Sequence, residues 1–170
     1  LDSIDTPVGM PIAVVLSKDG TRLYVANAAS DDISVIDLAQ GMGVGHISVG
    51  HHPRDLALSP SGDRLYTINM VSDNVSVIDT ATLSAVDTLA LAEDSRSASV
   101  QQGERIFLTS RPDEIARDNW MACGSCHFDG GTDGQIWLGT EGGARNTPIL
   151  RGIVDTLPLH WSGDRPNVQS

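Results

Sequence analysis

The chain has 170 residues, of which 40% are hydrophobic and 19% charged, with a net charge of -11 and a single lysine, Lys18. Binding to phosphate backbones needs clustered Lys and Arg, so nucleic acid is excluded as a partner. No apolar run is long enough for a helix that crosses a bilayer, so the composition describes a globular chain that is not membrane-spanning.

Residues 1 to 9 read as the last strand of a repeat unit, because Val8-Gly9 precedes Pro11 much as Val49-Gly50 precedes Pro53. From Pro11 onward the chain repeats itself with a period of 42 residues. Aligning residues 11 to 50 with 53 to 92 gives 16 identities in 40 positions, including Arg22-Leu23-Tyr24 with Arg64-Leu65-Tyr66 and Ser34-Val35-Ile36-Asp37 with Ser76-Val77-Ile78-Asp79. This is the length of a propeller blade. Each unit predicts four short strands, in the first at Ile12 to Leu16, Leu23 to Asn27, Ile33 to Asp37 and Gly45 to Val49, rich in β-branched residues and separated by polar turns. Lys18-Asp19-Gly20 and Ser61-Gly62-Asp63 supply hairpin turns. Tyr24, Tyr66, Asn27 and Asn69 recur at matching positions and are therefore read as architecture. His51-His52 falls at the junction of the two units and reads as a surface loop.

The Leu-Tyr-Val-Ala-Asn and Val-Ile-Asp patterns resemble the YVTN family of β-propeller repeats over residues 1 to 92. The resemblance implies propeller blades, here the last strand of one and two more. Propellers close with about four to eight blades, so the remainder is expected from a longer protein or a partner.

Residues 93 to 102 lack a clear period and read as a linker. Gln102-Gly103-Glu104-Arg105-Ile106-Phe107 fits either a degenerate third hairpin or a helix. The helix is preferred, since no Val-Ile-Asp strand follows.

The only two cysteines lie in Cys123-Gly124-Ser125-Cys126-His127. Thiols three positions apart can each form a thioether to a haem vinyl group, and the following imidazole can then ligate the iron. Zinc would need two more ligands at finger or ribbon spacing, and a thioredoxin-like dithiol would need a βαβ setting. Neither is present. The motif therefore predicts covalent haem c on Cys123 and Cys126, with His127 as the proximal iron ligand. Such attachment implies a periplasmic or extracytoplasmic location.

Phe107 and Cys123 stand 15 residues apart in the intervening chain, and Gly142-Gly143-Ala144-Arg145-Asn146-Thr147-Pro148 and His160-Trp161-Ser162-Gly163-Asp164-Arg165 follow the haem motif. This order resembles the N-terminal half of the di-haem cytochrome c peroxidase and MauG superfamily. The resemblance implies a truncated, mainly α cytochrome c-like domain over 103 to 170. It implies Asn146 as a candidate ligand for calcium and Trp161 on an electron path to a second haem absent from this sequence. The motif around Trp161 is one residue longer than the family's, and Phe128 to Ala144 holds no His to cap the iron. The distal position is thus open or filled from elsewhere, with His160 the better-placed local candidate and Met121 the poorer one.

Together these features predict a multidomain chain, with incomplete all-β propeller blades followed by a mainly α haem domain, as an internal piece of a longer protein. The expected activity is a di-haem peroxidase-like oxidoreductase that reduces hydrogen peroxide or oxidises a redox partner protein or small electron donor. The alternative is a non-catalytic electron-transfer cytochrome whose propeller docks partners.

Overall fold

The computed structural model describes residues 7–111, 119–139, 143–159 and 165–166. They fall into two compact units, 1–123 and 124–170.

The first unit is built from the repeat. Strands β1 (Pro11–Leu16), β2 (Arg22–Asn27), β3 (Asp32–Asp37) and β4 (Met42–Ser48) form one antiparallel sheet in that order. Strands β5 (Pro53–Leu58), β6 (Arg64–Asn69), β7 (Asn74–Asp79) and β8 (Ser84–Ala90) form the second in the same way. The repeat extends to backbone irregularities. A bulge between Val35 and Ile36 recurs between Val77 and Ile78. Positive φ occurs at Met10 and His52, at Asp31 and Asp73, and at Gly41 and Leu83, each pair 42 residues apart.

Both turns that open the blades are held by short polar side chains. Asp19 accepts from Ser17 Oγ at 2.7 Å and from Thr21 N at 3.1 Å, which lowers its pKa to about 2. Ser59 and Ser61 donate to Asp63 in the second blade and likewise hold its carboxyl below the usual range. Within each sheet a buried asparagine clasps the next strand. Asn27 Nδ2 donates to Asp32 Oδ1 at 2.6 Å and Ser34 Oγ at 2.7 Å, and Asn69 Nδ2 to Asn74 Oδ1 at 2.7 Å and Ser76 Oγ at 2.8 Å. Gly50 leaves room for the second clasp, because a Cβ there would sit 2.6 Å from Asn69 Nδ2.

The core lies between the two sheets. Tyr24, Ile33, Val35 and Ile47 of the first pack with Leu65, Ile78 and Leu83 of the second, flanked by Val15, Val49, Leu56 and Leu58. Helix α1 (Ala98–Leu108) follows the blades and buries none of its residues. It settles the alternative for residues 102 to 107 as helix, and it begins within the segment read as a linker. The chain after it is anchored to the first blade, where Ser110 N and Oγ both donate to the Ala29 carbonyl at 2.8 and 3.0 Å.

The second unit departs from expectation. A mainly α cytochrome c-like domain is absent from the described residues: after α1, those from 123 on hold the one-turn helix α2 (Cys123–Cys126), 3₁₀ turns at Phe128–Gly130 and Ile153–Asp155, and a ribbon of β9 (Ile136–Trp137) and β10 (Arg145–Asn146). The physical reason is glycine. Gly130, Gly134, Gly139, Gly143 and Gly152 all take positive φ, which a helix does not admit, and glycine within a helix is less favourable than alanine by about 1 kcal/mol. The unit is held instead by side chains that bridge loops. Trp137 Nε1 donates to Asp133 Oδ2 and Thr147 Oγ1, both at 3.1 Å, and Arg151 donates to the Asp129 carbonyl at 2.9 Å.

Leu65 is fully buried between the sheets, whereas Leu89 is 48% exposed. Chemical denaturation of the full chain should therefore show Leu65→Ala losing about 2–5 kcal/mol, and Leu89→Ala markedly less.

Candidate functional site

The five residues singled out by the cysteines are contiguous with α2. A helical turn places residues three apart on one face, so the backbone of α2 sets Cys123 and Cys126 side by side. Cys123 is exposed and Cys126 half-buried, and neither forms a disulfide.

His127 ends the turn. Its Nδ1 lies 2.9 Å from the carbonyl of Pro148. A carbonyl can only accept, so Nδ1 carries the proton and Nε2 keeps its lone pair, the tautomer a metal-ligating imidazole needs. The same ring borders a cavity of about 480 Å³ whose other walls include Pro148, Ile149, Leu150, Ile153 and Leu159. A donor nitrogen beside an apolar recess is a setting suited to a large, flat, apolar ligand. The loop that supplies Pro148 is fixed nearby, because Leu150 N donates to the Gly130 carbonyl at 2.9 Å.

Asn146 lies in β10 opposite Ile136. Among the described residues no group of three or more His, Cys, Asp and Glu side chains could hold a metal ion. His160 and Trp161 fall outside the described residues. Met121 lies just before α2, and Trp120 is 55% exposed.

A second polar cluster was not singled out by sequence reasoning. Asp32 and His46 are buried in the first blade, with His46 Nδ1 3.1 Å from Ser34 Oγ and 3.6 Å from Asp32 Oδ1. Arg111 Nη2 reaches Asp32 Oδ2 at 3.2 Å. Burial pushes the Asp32 carboxyl above the usual range, against the opposing pull of Asn27, Ser30, His46 and Arg111. The signal was available as a break in the repeat. Asn74 and Thr88 stand 42 residues after Asp32 and His46, so the second blade carries neither the carboxyl nor the imidazole.

The histidine pair at the blade junction also differs from the surface loop expected. His51 Nδ1 lies 2.7 Å from Asp31 Oδ2, while His52 is only 1% exposed and donates its backbone N–H to Asp31 Oδ1 at 2.8 Å. Neither ring nitrogen of His52 has a hydrogen-bond partner among the described residues. Burial, assisted by the charge of Arg54, holds its pKa below the ordinary value. Asp31, Glu104 and the nearby Ala28 carbonyl oppose the shift without cancelling it.

Residues 10–103, more than half of the chain, match the family described as lactonase, 7-bladed beta-propeller. The chain belongs to this family of seven-bladed β-propellers.

Among solved structures, hydrazine synthase of Kuenenia stuttgartiensis is similar over 55% of this chain and 26% of its own, at 26% identity and a TM-score of 0.48. A putative 6-phosphogluconolactonase from Bacteroides uniformis matches over 50% of this chain and 27% of its own, at 20% identity and a TM-score of 0.43. AztD from Citrobacter koseri in its apo form matches over 49% and 24%, at 14% identity and a TM-score of 0.43. The chain thus spans about a quarter of the length of these structures. No curated protein matches.

Family membership and the loop-built second unit overturn the expectation of a di-haem cytochrome c peroxidase-like oxidoreductase. The alternative of an electron-transfer cytochrome falls with it, because the helical domain that defines both is absent from the described residues. The propeller half of the sequence reading stands. The propeller is what the family and the sheets share.

The His52 shift has a definite pH consequence. The unfolded chain takes up a proton near pH 6.5, whereas the folded chain resists it until a lower pH, so stability falls as the pH drops below about 6.5. Melting temperatures of the full chain between pH 7.5 and 5.5 should decline, and His52→Asn, which tolerates the positive φ, should flatten that decline.

Proposed function

We propose that this propeller-family chain carries a covalent attachment site for haem c, with Cys123 and Cys126 as thioether donors and His127 as the proximal ligand. The observation that carries the reading is the Pro148 carbonyl on His127 Nδ1, which leaves Nε2 available beside an apolar recess. The two thiols sit at the spacing that thioether formation requires. When bound, the haem would supply an iron with one protein nitrogen on its proximal face. The chain's own residues do the rest: Pro148 orients the imidazole, Gly130 and Leu150 fix the loop that bears Pro148, and Ile149, Ile153 and Leu159 offer an apolar wall. The attachment would be made by a loop-built unit and not by a cytochrome fold. Covalent haem c would also place the protein in the periplasm or another extracytoplasmic space, with further blades of a seven-bladed ring supplied by the rest of a longer protein or by a partner. Asn146 as a calcium ligand would need additional donors from outside the described residues.

Family membership favours a second reading for the propeller itself, the hydrolysis of a lactone, in which water adds to the ring carbonyl and the ring C–O bond breaks to give a hydroxy acid.

Produced in cells that attach c-type haem, the full chain should keep its porphyrin through acid–acetone extraction, and the double variant Cys123→Ala/Cys126→Ala should lose all of it. A wild-type chain that leaves the cells without covalent porphyrin would sink the first reading. Release of acid from δ-gluconolactone above the uncatalysed rate tests the second, and a rate equal to that of buffer would remove it.

A further inference from the structure

The first unit contains a cavity of about 520 Å³ between α1 and the blade junction, walled by His51, Val71, Gln102, Arg105, Ile106 and Arg111. Its polar groups are unusual for a chain with a net charge of -11. Arg105, in the last turn of α1, has no side-chain hydrogen bond or ion pair among the described residues. Arg111 spends one Nη on Asp32. His51 is anchored through Nδ1 to Asp31, which leaves Nε2 unused by that bond.

We propose that this cavity is a binding site for a small anion, a molecule bearing a carboxylate or phosphate group with a short apolar portion. Asp32 stands behind Arg111 and offsets part of its charge, so among the described residues Arg105 is the lining cation without an ion pair. A guanidinium presents parallel N–H donors that match the oxygens of a carboxylate or phosphate, and a partly dry wall strengthens such a pair. The remaining Arg111 guanidinium and the Gln102 amide add further donors to the lining. Val71 and Ile106 supply the apolar wall. The site lies in the first unit and uses none of Cys123, Cys126 or His127, so it stands independently of haem attachment.

Calorimetric titration of the full chain with inorganic phosphate, and separately with glutarate, in chloride at about 150 mM distinguishes the two sources of negative charge while screening surface attraction. Saturable one-to-one binding of either is expected. Arg105→Gln should weaken it by roughly tenfold, and Arg105→Lys, which keeps the charge without the fork, by less. Absence of saturable binding for both probes, or an affinity unchanged in Arg105→Gln, would overturn the proposal.

Discussion

A single neighbour can cover only one face of a propeller blade, and this constraint organises the chain. In the first blade Ala26 and Val35 are fully buried, while their counterparts 42 residues on, Ile68 and Val77, are 43% and 9% exposed. The same sequence position thus has different surroundings in the two blades. Tyr24, Ile33 and Val35 are dry because Leu65, Ile78 and Leu83 lie across from them. Apolar burial stabilises this interface, and each fully covered Leu or Ile contributes about 1.5–3 kcal/mol relative to an exposed one. The asparagine clasps keep the paired strands in register, so that alternate side chains reach the shared core.

Repetition explains which polar groups are structural and which are not. Asn27 and Asn69 make the same bonds in both blades, as their recurrence suggests. Asp32, His46 and Arg111 make bonds that the second blade has no residues to make. Burying the Asp32 carboxylate costs desolvation, which raises its pKa, and Arg111 brings the segment after α1 onto the first blade to meet it. The Ser110 bonds to Ala29 reinforce that anchorage.

The blades were legible in the sequence because two strong signals agreed there: alternating β-branched residues and a self-match over 42 positions. The αL residue Leu83 shows the limit of such reading. A bulky side chain at φ 53° is disfavoured locally, yet it aligns with Gly41 and is paid back by burial in the core. Beyond Ala90 there is no repeat to lean on. Ordered landmarks suggested a helical cytochrome, but landmarks report residue order and carry no information on the backbone between them. Gly130, Gly134, Gly139, Gly143 and Gly152 take positive φ and mark turns in that stretch. His52 was misread for a similar reason, since adjacent histidines look solvent-facing until the junction that buries one of them is formed.

The proposed haem attachment turns on the orientation of one imidazole. Nitrogen-15 NMR of the haem-free chain can read the tautomer of neutral His127 directly. The Pro148 contact predicts that Nδ1 bears the proton and Nε2 does not. A population dominated by the Nε2–H form would contradict the account, because the nitrogen assigned to the iron would then be unable to bind it.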